Sequence, residues 1–312
     1  MTITQLEYVL AVAEHQNFTK AAEHRFVTQP TLSMQIQKLE DQLDVLIFDR
    51  SKKPIELTEV GKRIVAQARN IVNESNRIQD IVDQQKGFIG GEFKLGIIPT
   101  VMPTLLPMFL KNFINKYPKV KLKIEELTTE EIISRLNDGH LDAAIAATPL
   151  ESDTIKERPL YYEPFVAYIP ENHRLKHKTK LDVTDLDLND MLLLEDGHCF
   201  RDGVINLCKV FKNKQDETFQ LESGSIETLI RLSNEGLGMT LLPYLHTLEL
   251  SEAQKDKLHY FNAPSPAREV SIIYHKSELK MQIIEALRDT IAGVVRGAIA
   301  FQNVQIISPI SK

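Results

Sequence analysis

The chain's two cysteines suggest a specific chemistry. Cys199 and Cys208 are the only two among 312 residues, nine positions apart in the run EDGHCFRDGVINLCKVF. Random placement brings two cysteines this close in roughly 6% of such chains, by simple counting, so spacing alone decides little. The surroundings say more. Val204, Leu207, Cys208 and Phe211 share one face of a helix, which buries Cys208 and leaves its thiol protonated and inert. Cys199 falls at the start of that helix, where partial positive charge and the neighbours His198 and Arg201 favour a thiolate. Cys199 is therefore the better nucleophile, although two ordinary buried thiols remain the other reading of these residues. A nine-residue helical step holds Cα atoms roughly 13 Å apart, whereas a disulfide needs them within about 7 Å. An S–S bond between the two is incompatible with the helix, so oxidation must unwind it and draw Cys208 from its core. Zinc fits poorly, because His198, Cys199 and Cys208 cannot close a tetrahedral site and no fourth ligand is near in sequence. The expectation is a site with no metal and no cofactor.

Composition narrows the setting of that chemistry. The apolar fraction of 43% builds ordinary cores, and the net charge of −6 excludes a uniformly basic nucleic-acid coat. Residues 1–69 balance nine Lys/Arg against nine Asp/Glu, so the acidity lies in the remainder, with 28 against 34. The first ten residues, MTITQLEYVL, have neither the basic start nor the long apolar core of a signal peptide. The longest uncharged stretch, Leu95 to Leu110, is 16 residues long and contains Pro99, Pro103 and Pro107, too short and broken to span a bilayer. The expected setting is cytoplasmic, where thiols stay reduced and any disulfide is conditional.

The elements that must position the cysteines follow from apolar periodicity. Residues 4–43 read as three short helices, marked by Leu6, Val9, Leu10 and Ala13, then Phe18, Ala21, Ala22 and Phe26, then Leu32, Ile36, Leu39 and Leu43. Pro30 suits the first turn of the third, with Thr28 or Gln29 as its cap. The tight link between the second and third is a helix-turn-helix pattern. VLIFDRSKKPIELT reads as a β-hairpin wing. A long helix should run from Thr58 to about Lys86, with residues 64, 68, 71, 75, 78 and 82 forming a heptad seam that predicts a dimer; packing on its own domain is the alternative. Beyond residue 92, strands and helices alternate, which predicts an α/β domain with largely parallel sheets and room for two lobes. The tail after Phe301 is expected to be loosely ordered.

A helix-turn-helix presents its second helix to the major groove. Gln29, Pro30, Thr31, Ser33, Gln35 and Lys38 occupy that surface, where Gln reads adenine and hydroxyls meet bases or phosphates. Arg50, Lys52 and Lys53 at the wing tip are placed to neutralise phosphates. A merely solvated polar face is the alternative, weakened by the wing and dimer helix in order.

These segments together resemble a known family. NFTKAAEHRFVTQPTLSMQIQKLEDQLDVLIFDR is similar to the N-terminal signature of LysR-type transcriptional regulators. ELTEVGKRIV resembles the start of that family's linker helix, and LDAAIA and IRLSNEGLGMTLLP its periplasmic-binding-protein-like effector domain. The resemblance implies a winged helix-turn-helix at 1–58, a linker and dimerisation helix at 59–87, and a two-lobed regulatory domain at 88–302. Its lobes would be 88–162 plus 269–302, and 163–268. It also implies a homodimer or homotetramer that binds promoter DNA and contacts RNA polymerase, rather than an enzyme.

GHCFRD and the step to the second cysteine resemble the peroxide-sensing branch of the family. By position, Cys199 then corresponds to the peroxide-reactive thiol and Cys208 to its resolving partner. Thr100, Thr129, His198, Asp202 and Arg268 correspond to pocket or relay positions. The implied sequence has Cys199 attack hydrogen peroxide, with Thr100 and Thr129 positioning it, and the sulfenic acid then condense with Cys208. The re-shaped domain controls antioxidant genes until a thiol reductant resets it. Each residue also has a plainer role. Thr128 and Glu131 fit a capping box that would involve Thr129 only in helix initiation, Thr100 sits where strand ends bind anions, and His198 and Arg268 fit structural or surface roles. The rival functions are a regulator that binds a small organic anion between the lobes, and a thiol peroxidase.

Overall fold

The computed structural model describes residues 1–85, 89–208, 223–299 and 304–310, so Phe211 and its part in the helix face lie outside the described residues. The chain divides into two compact units, Met1–Phe88 and Ile89–Lys312.

In the first unit, α1 (Ile3–His15) starts at a capping box between Thr2 and Gln5. The Asn17 side chain accepts from the backbone of Thr19 and Lys20 to start α2 (Phe18–His24), and Thr28 caps α3 (Gln29–Leu43) with Pro30 in its first turn. Each cap satisfies amides that a helix start leaves open. Leu6, Val9, Val12, Ala21, Leu32, Ile36 and Leu39 close the core. Phe26 departs from the expected apolar face of α2: it lies beyond the helix at φ 55° and is 95% exposed. The turn between α2 and α3 swings it out. Two short antiparallel strands, β1 (Phe48–Asp49) and β2 (Glu56–Leu57), form the wing.

The long helix α4 (Glu59–Gln85) has 27 residues, about 40 Å at 1.5 Å per residue. Its first half packs on its own unit, chiefly on α1. Val65, Ala68 and Val72 are buried there, with Ile64 and Ile71 partly covered. The covered stripe is thus shifted from the predicted seam, and the intradomain alternative holds for that half. Ile78, Ile81 and Val82, farther along, are exposed in the single chain.

The second unit is built on one mixed sheet. In chain order its elements are β3 (Gly91–Ile97), α5 (Met102–Lys116), β4 (Val120–Glu126), α6 (Thr129–Asn137), β5 (Ala143–Thr148), β6 (Ile155–Tyr168), β7 (Lys180–Leu181), α7 (Cys199–Leu207), α8 (Ile226–Asn234), β8 (Thr240–Pro243), α9 (Tyr244–Thr247), α10 (Glu252–Lys255), β9 (Leu258–Phe261), β10 (Ser265–His275), α11 (Met281–Val295) and β11 (Val304–Ile306). β3 pairs in parallel with β4 and β5. β10 runs antiparallel to β5 and to β6, so the sheet is less parallel than alternation predicts. The reason is connectivity, since β6 and β10 are the strands on which the chain passes between two separate cores.

One core gathers Phe93, Leu95, Phe109, Ile145, Ile272 and Leu287. The other gathers Phe165, Tyr168, Leu181, Leu229, Leu241 and Phe261. Residues 304–310 of the tail are ordered, contrary to expectation. β11 adds in parallel to β10, and the Asn206 side-chain amide donates to the carbonyls of Ser308 and Ile310 at 2.9 and 3.0 Å. Among the described residues no helix is long and apolar enough to cross a membrane.

Candidate functional site

α7 begins at Cys199 and ends at Leu207, with Cys208 as its C-cap. Both thiols are free and buried, and they belong to different cores. Cys199, 8% exposed, packs with the core of β3, β5 and β10. Cys208, 3% exposed, packs with Phe200, Val204 and Leu207 in the other. The helix therefore ties the two cores together, one sulfur in each, and its intact turns hold the cysteines apart as the spacing predicts.

Burial pushes the Cys208 thiol up to about 12, with the carboxylates of Asp190 and Asp187 adding to the shift, in line with an inert resting thiol. Cys199 departs from expectation. Burial pushes its thiol above the ordinary value, against the pull of the Arg268 guanidinium, the Thr129 hydroxyl and the Ala147 backbone, while Asp202 pushes it further up. Desolvation outweighs the charges that favour a thiolate. The neighbours proposed from sequence do little here. Arg201 pairs with Asp196 at 2.9 Å and donates to the Leu194 carbonyl, and His198 Nε2 lies 3.4 Å from Glu195 Oε1.

Arg268 is the cation that matters, and it is no surface charge: it is 3% exposed. From β10 its Nε and one terminal nitrogen donate to Glu163 Oε2 on β6 at 2.9 and 2.7 Å. Its other terminal nitrogen donates to Thr100 Oγ1 at 2.8 Å, and the nitrogen that bonds Glu163 also donates to the Thr100 carbonyl at 3.0 Å. Its planar group sits 5.1 Å over the Phe200 ring. Glu163 Oε1 accepts from the Leu245 amide at 2.9 Å, so every strong partner of the pair is satisfied, as a buried ion pair requires.

A cleft of about 500 Å³ opens at the start of α7, and Cys199, Asp202, Thr129 and Glu130 line it with Ile133, Ser134 and Leu150. Pro309 and Ile310 of the tail complete the wall. Thr128 and Glu131 form the expected capping box, which leaves Thr129 uninvolved in the cap. Its hydroxyl is buried without a hydrogen-bond partner; it influences the thiol by proximity, short of a formed hydrogen bond. Burial raises the Asp202 carboxyl, with Arg201 lowering and Asp196 raising it. Of the residues suggested by sequence, Cys199, Thr129 and Asp202 share the cleft. Thr100 and Arg268 are bonded to each other within electrostatic reach of the thiol, and His198 turns to Glu195. Sequence reasoning missed Glu163, Phe200, Asn206 and the tail. A buried Arg demands a carboxylate, but that partner is 105 positions away.

In the first unit, Gln29, Pro30, Thr31 and Lys38 are exposed along α3. Gln35 is partly engaged, its side-chain carbonyl accepting from Gln5 at 3.3 Å. Lys52 and Lys53 are exposed at the wing. Arg50, partly exposed, is also tied into the fold. It donates to buried Glu40 at 2.9 Å and to Ser33 at 3.4 Å, and stacks 5.0 Å over Phe18. Glu40 also accepts from the amides of Ile47 and Phe48, so Arg50 and Glu40 together fasten the wing to α3.

These features define a transcription regulator with a helix-turn-helix head and a two-core regulatory unit. Residues 3–62 match the bacterial regulatory helix-turn-helix protein, lysR family, and residues 86–296 match the LysR substrate binding domain. The chain belongs to the LysR family. Within that family it is 35% identical over 299 residues to the hydrogen peroxide-inducible genes activator of Pectobacterium carotovorum, covering 95% of this chain and 98% of the relative. It is 36% identical to the DNA-binding transcriptional dual regulator OxyR of Escherichia coli K12, covering 94% and 97%. A full-length OxyR cysteine-to-aspartate variant from Pseudomonas aeruginosa superimposes with a TM-score of 0.76 at 35% identity, covering 94% and 98%. An H2O2-bound OxyR cysteine mutant of Corynebacterium glutamicum superimposes with a TM-score of 0.64 at 27% identity, covering 98% of both chains.

Proposed function

We propose that this chain is a cytoplasmic, peroxide-responsive transcription regulator in which hydrogen peroxide oxidises Cys199 and Cys208 then closes a reversible disulfide. The observation that carries the reading is α7 itself, with one sulfur in each of two cores and a helix between them that the disulfide must break. Cys199 ionises as peroxide engages, with Arg268 opposing the charge that burial penalises. The thiolate attacks one peroxide oxygen, the O–O bond breaks, and the leaving hydroxide takes a proton. Thr129, with its unpartnered hydroxyl at the cleft, positions the peroxide, and Thr100 keeps Arg268 aimed. The sulfenic acid condenses with Cys208 and releases water.

We further take residues 1–58 as the DNA-binding domain, 59–87 as the linker and dimer helix, and 88–302 as the sensor, with lobes 88–162 plus 269–302 and 163–268. Gln29, Thr31, Ser33 and Lys38 read or position DNA, and Lys52 and Lys53 neutralise phosphates. The dimer or tetramer contacts RNA polymerase, and a thiol reductant resets it. The named relatives and the H2O2-bound neighbour support the signal assignment. An organic anion in the cleft is disfavoured, because Glu130 and Asp202 line it and the nearby Arg268 is already paired with Glu163.

Peroxide titration of thiols tests the reading. The parent should lose two thiols per chain and gain an intramolecular 199–208 crosslink by mass spectrometry. Cys199→Ser should abolish both, and Cys208→Ser should stop at a sulfenic acid. Over-oxidised Cys199 with no crosslink in the parent, or reduced and oxidised structures that superimpose through residues 195–215, would overturn it.

A further inference from the structure

Hydrogen peroxide takes up less room than two water molecules, each about 30 Å³ in the liquid. The cleft beside Cys199 measures about 500 Å³, within the roughly 300–1,000 Å³ range of sites for organic ligands. Much of its lining is apolar, contributed by Ile133, Leu150, Pro309 and Ile310. Its charged lining, Glu130 and Asp202, is acidic, which repels anions. At the thiol end Thr129 offers a buried hydroxyl with no hydrogen-bond partner. A cleft that joins an oxidisable sulfur, a hydroxyl with no hydrogen-bond partner and several apolar side chains matches a neutral molecule with a peroxide head and an apolar tail.

We propose that the cleft also admits neutral organic hydroperoxides, ROOH, with R against Ile133, Leu150 and Ile310 and the O–O group between Thr129 and Cys199. This rests on the reading of Cys199 as the peroxide-reactive thiol. The step balances as Cys199–SH plus ROOH giving Cys199–SOH plus ROH. Sulfur bonds to the terminal oxygen and is oxidised by two electrons, the O–O bond breaks, and the alkoxide leaving group takes the thiol proton. Condensation with Cys208 then proceeds as for hydrogen peroxide.

The tail makes the wall conditional. Ile310 is held in place by the Asn206 side chain, which is part of α7. Unwinding α7 for the disulfide removes that clamp and opens the cleft for the alcohol to leave.

The test compares rates of Cys199 sulfenic acid formation in the Cys208→Ser background with hydrogen peroxide and with cumene hydroperoxide. The parent should react with both. Ile310→Ala and Ile133→Ala should each lower the cumene-to-hydrogen-peroxide rate ratio, by about tenfold for the loss of an apolar contact of this size. Asn206→Ala should lower the same ratio by releasing the wall. Reaction with hydrogen peroxide but none with cumene hydroperoxide would overturn the inference and leave the peroxide reading standing. An unchanged ratio in all three variants would overturn it as well. Reaction with neither oxidant would overturn the reading on which it rests.

Discussion

Replacing Arg268 by Met separates the structural from the chemical role of this buried cation. The substitution removes four hydrogen bonds, two to Glu163 and two to Thr100. Glu163, 1% exposed, keeps only the Leu245 amide. Stranding one member of a buried ion pair costs about 3–5 kcal/mol. In a unit of this size that lowers the melting temperature by roughly 6–20 °C, at about 2–4 °C per kcal/mol. Arg268 is also the main charge pulling the Cys199 thiol down. Without it the thiol is pushed further up and less thiolate is available to the oxidant, so sulfenic acid formation should slow by about tenfold or more. Adding Glu163→Gln removes the stranded charge and should restore most of the melting temperature. It should leave oxidation slow, because the cation is still missing. Differential scanning calorimetry and stopped-flow peroxide kinetics on the single and double variants read the two effects separately. A double variant that recovered the parent's rate along with its stability would refute the electrostatic role and leave Arg268 a packing residue.

The Cys208 thiol predicts alkaline instability. Its folded value is raised from 9.0 to about 12, so its contribution is fully present below pH 9 and lost by about pH 12. Three units correspond to about 4 kcal/mol, and urea unfolding of the reduced protein across that window should show a shallower decline in Cys208→Ala. His246 acts at the other end. Burial and Arg268 lower it from 6.5 to about 4, so its contribution is present above pH 6.5 and lost as pH falls through 4; His246→Gln should flatten acid unfolding between those values. At the wing, Lys52→Ala and Lys53→Ala should each weaken DNA binding and reduce the slope of log affinity against log salt by about one. Arg50→Ala should instead lower the melting temperature of the first unit. Leu207→Ala should cost the reduced form about 2–5 kcal/mol, and at about 30 mV per 1.4 kcal/mol shift the redox midpoint by roughly 40–110 mV toward easier disulfide formation. An unchanged midpoint in a glutathione titration would mean that Leu207 keeps its packing after oxidation.

What the sequence made legible was local. The helix caps at Thr28 and Thr128, the wing, and the apolar face of Cys208 with Val204 and Leu207 all depend on neighbours within a few positions. What it hid was set by pairings across the fold. The Arg268–Glu163 pair joins β10 to β6 and cannot be read from either strand alone. The tail looked free because nothing in its composition shows that Asn206, about a hundred positions earlier, holds it. The tie from Arg50 to Glu40 was hidden for the same reason: a basic residue at a wing shows nothing of the buried carboxylate beside it. Phe26 was misplaced because a single positive φ in the turn sends an apolar side chain into solvent, which periodicity cannot anticipate.

The raised Cys199 thiol looks at first like an argument against reactivity, and its position resolves the conflict. A thiol ionised at rest would meet any oxidant or electrophile that reached it. Burial keeps Cys199 protonated, yet Arg268 lies close enough to stabilise negative charge when a molecule displaces water from the cleft and the proton departs. The cation is already fixed in place by Glu163 and Thr100, so little of the site has to reorganise as charge develops, which is the condition under which buried electrostatics act most strongly. Desolvation thus sets the resting state, and the preorganised cation acts on the reacting one. The same burial divides the two sulfurs between two cores. Oxidation at Cys199 is chemically small, but joining it to Cys208 requires a whole helix to leave its packing, and that coupling turns a local reaction into a change of domain shape.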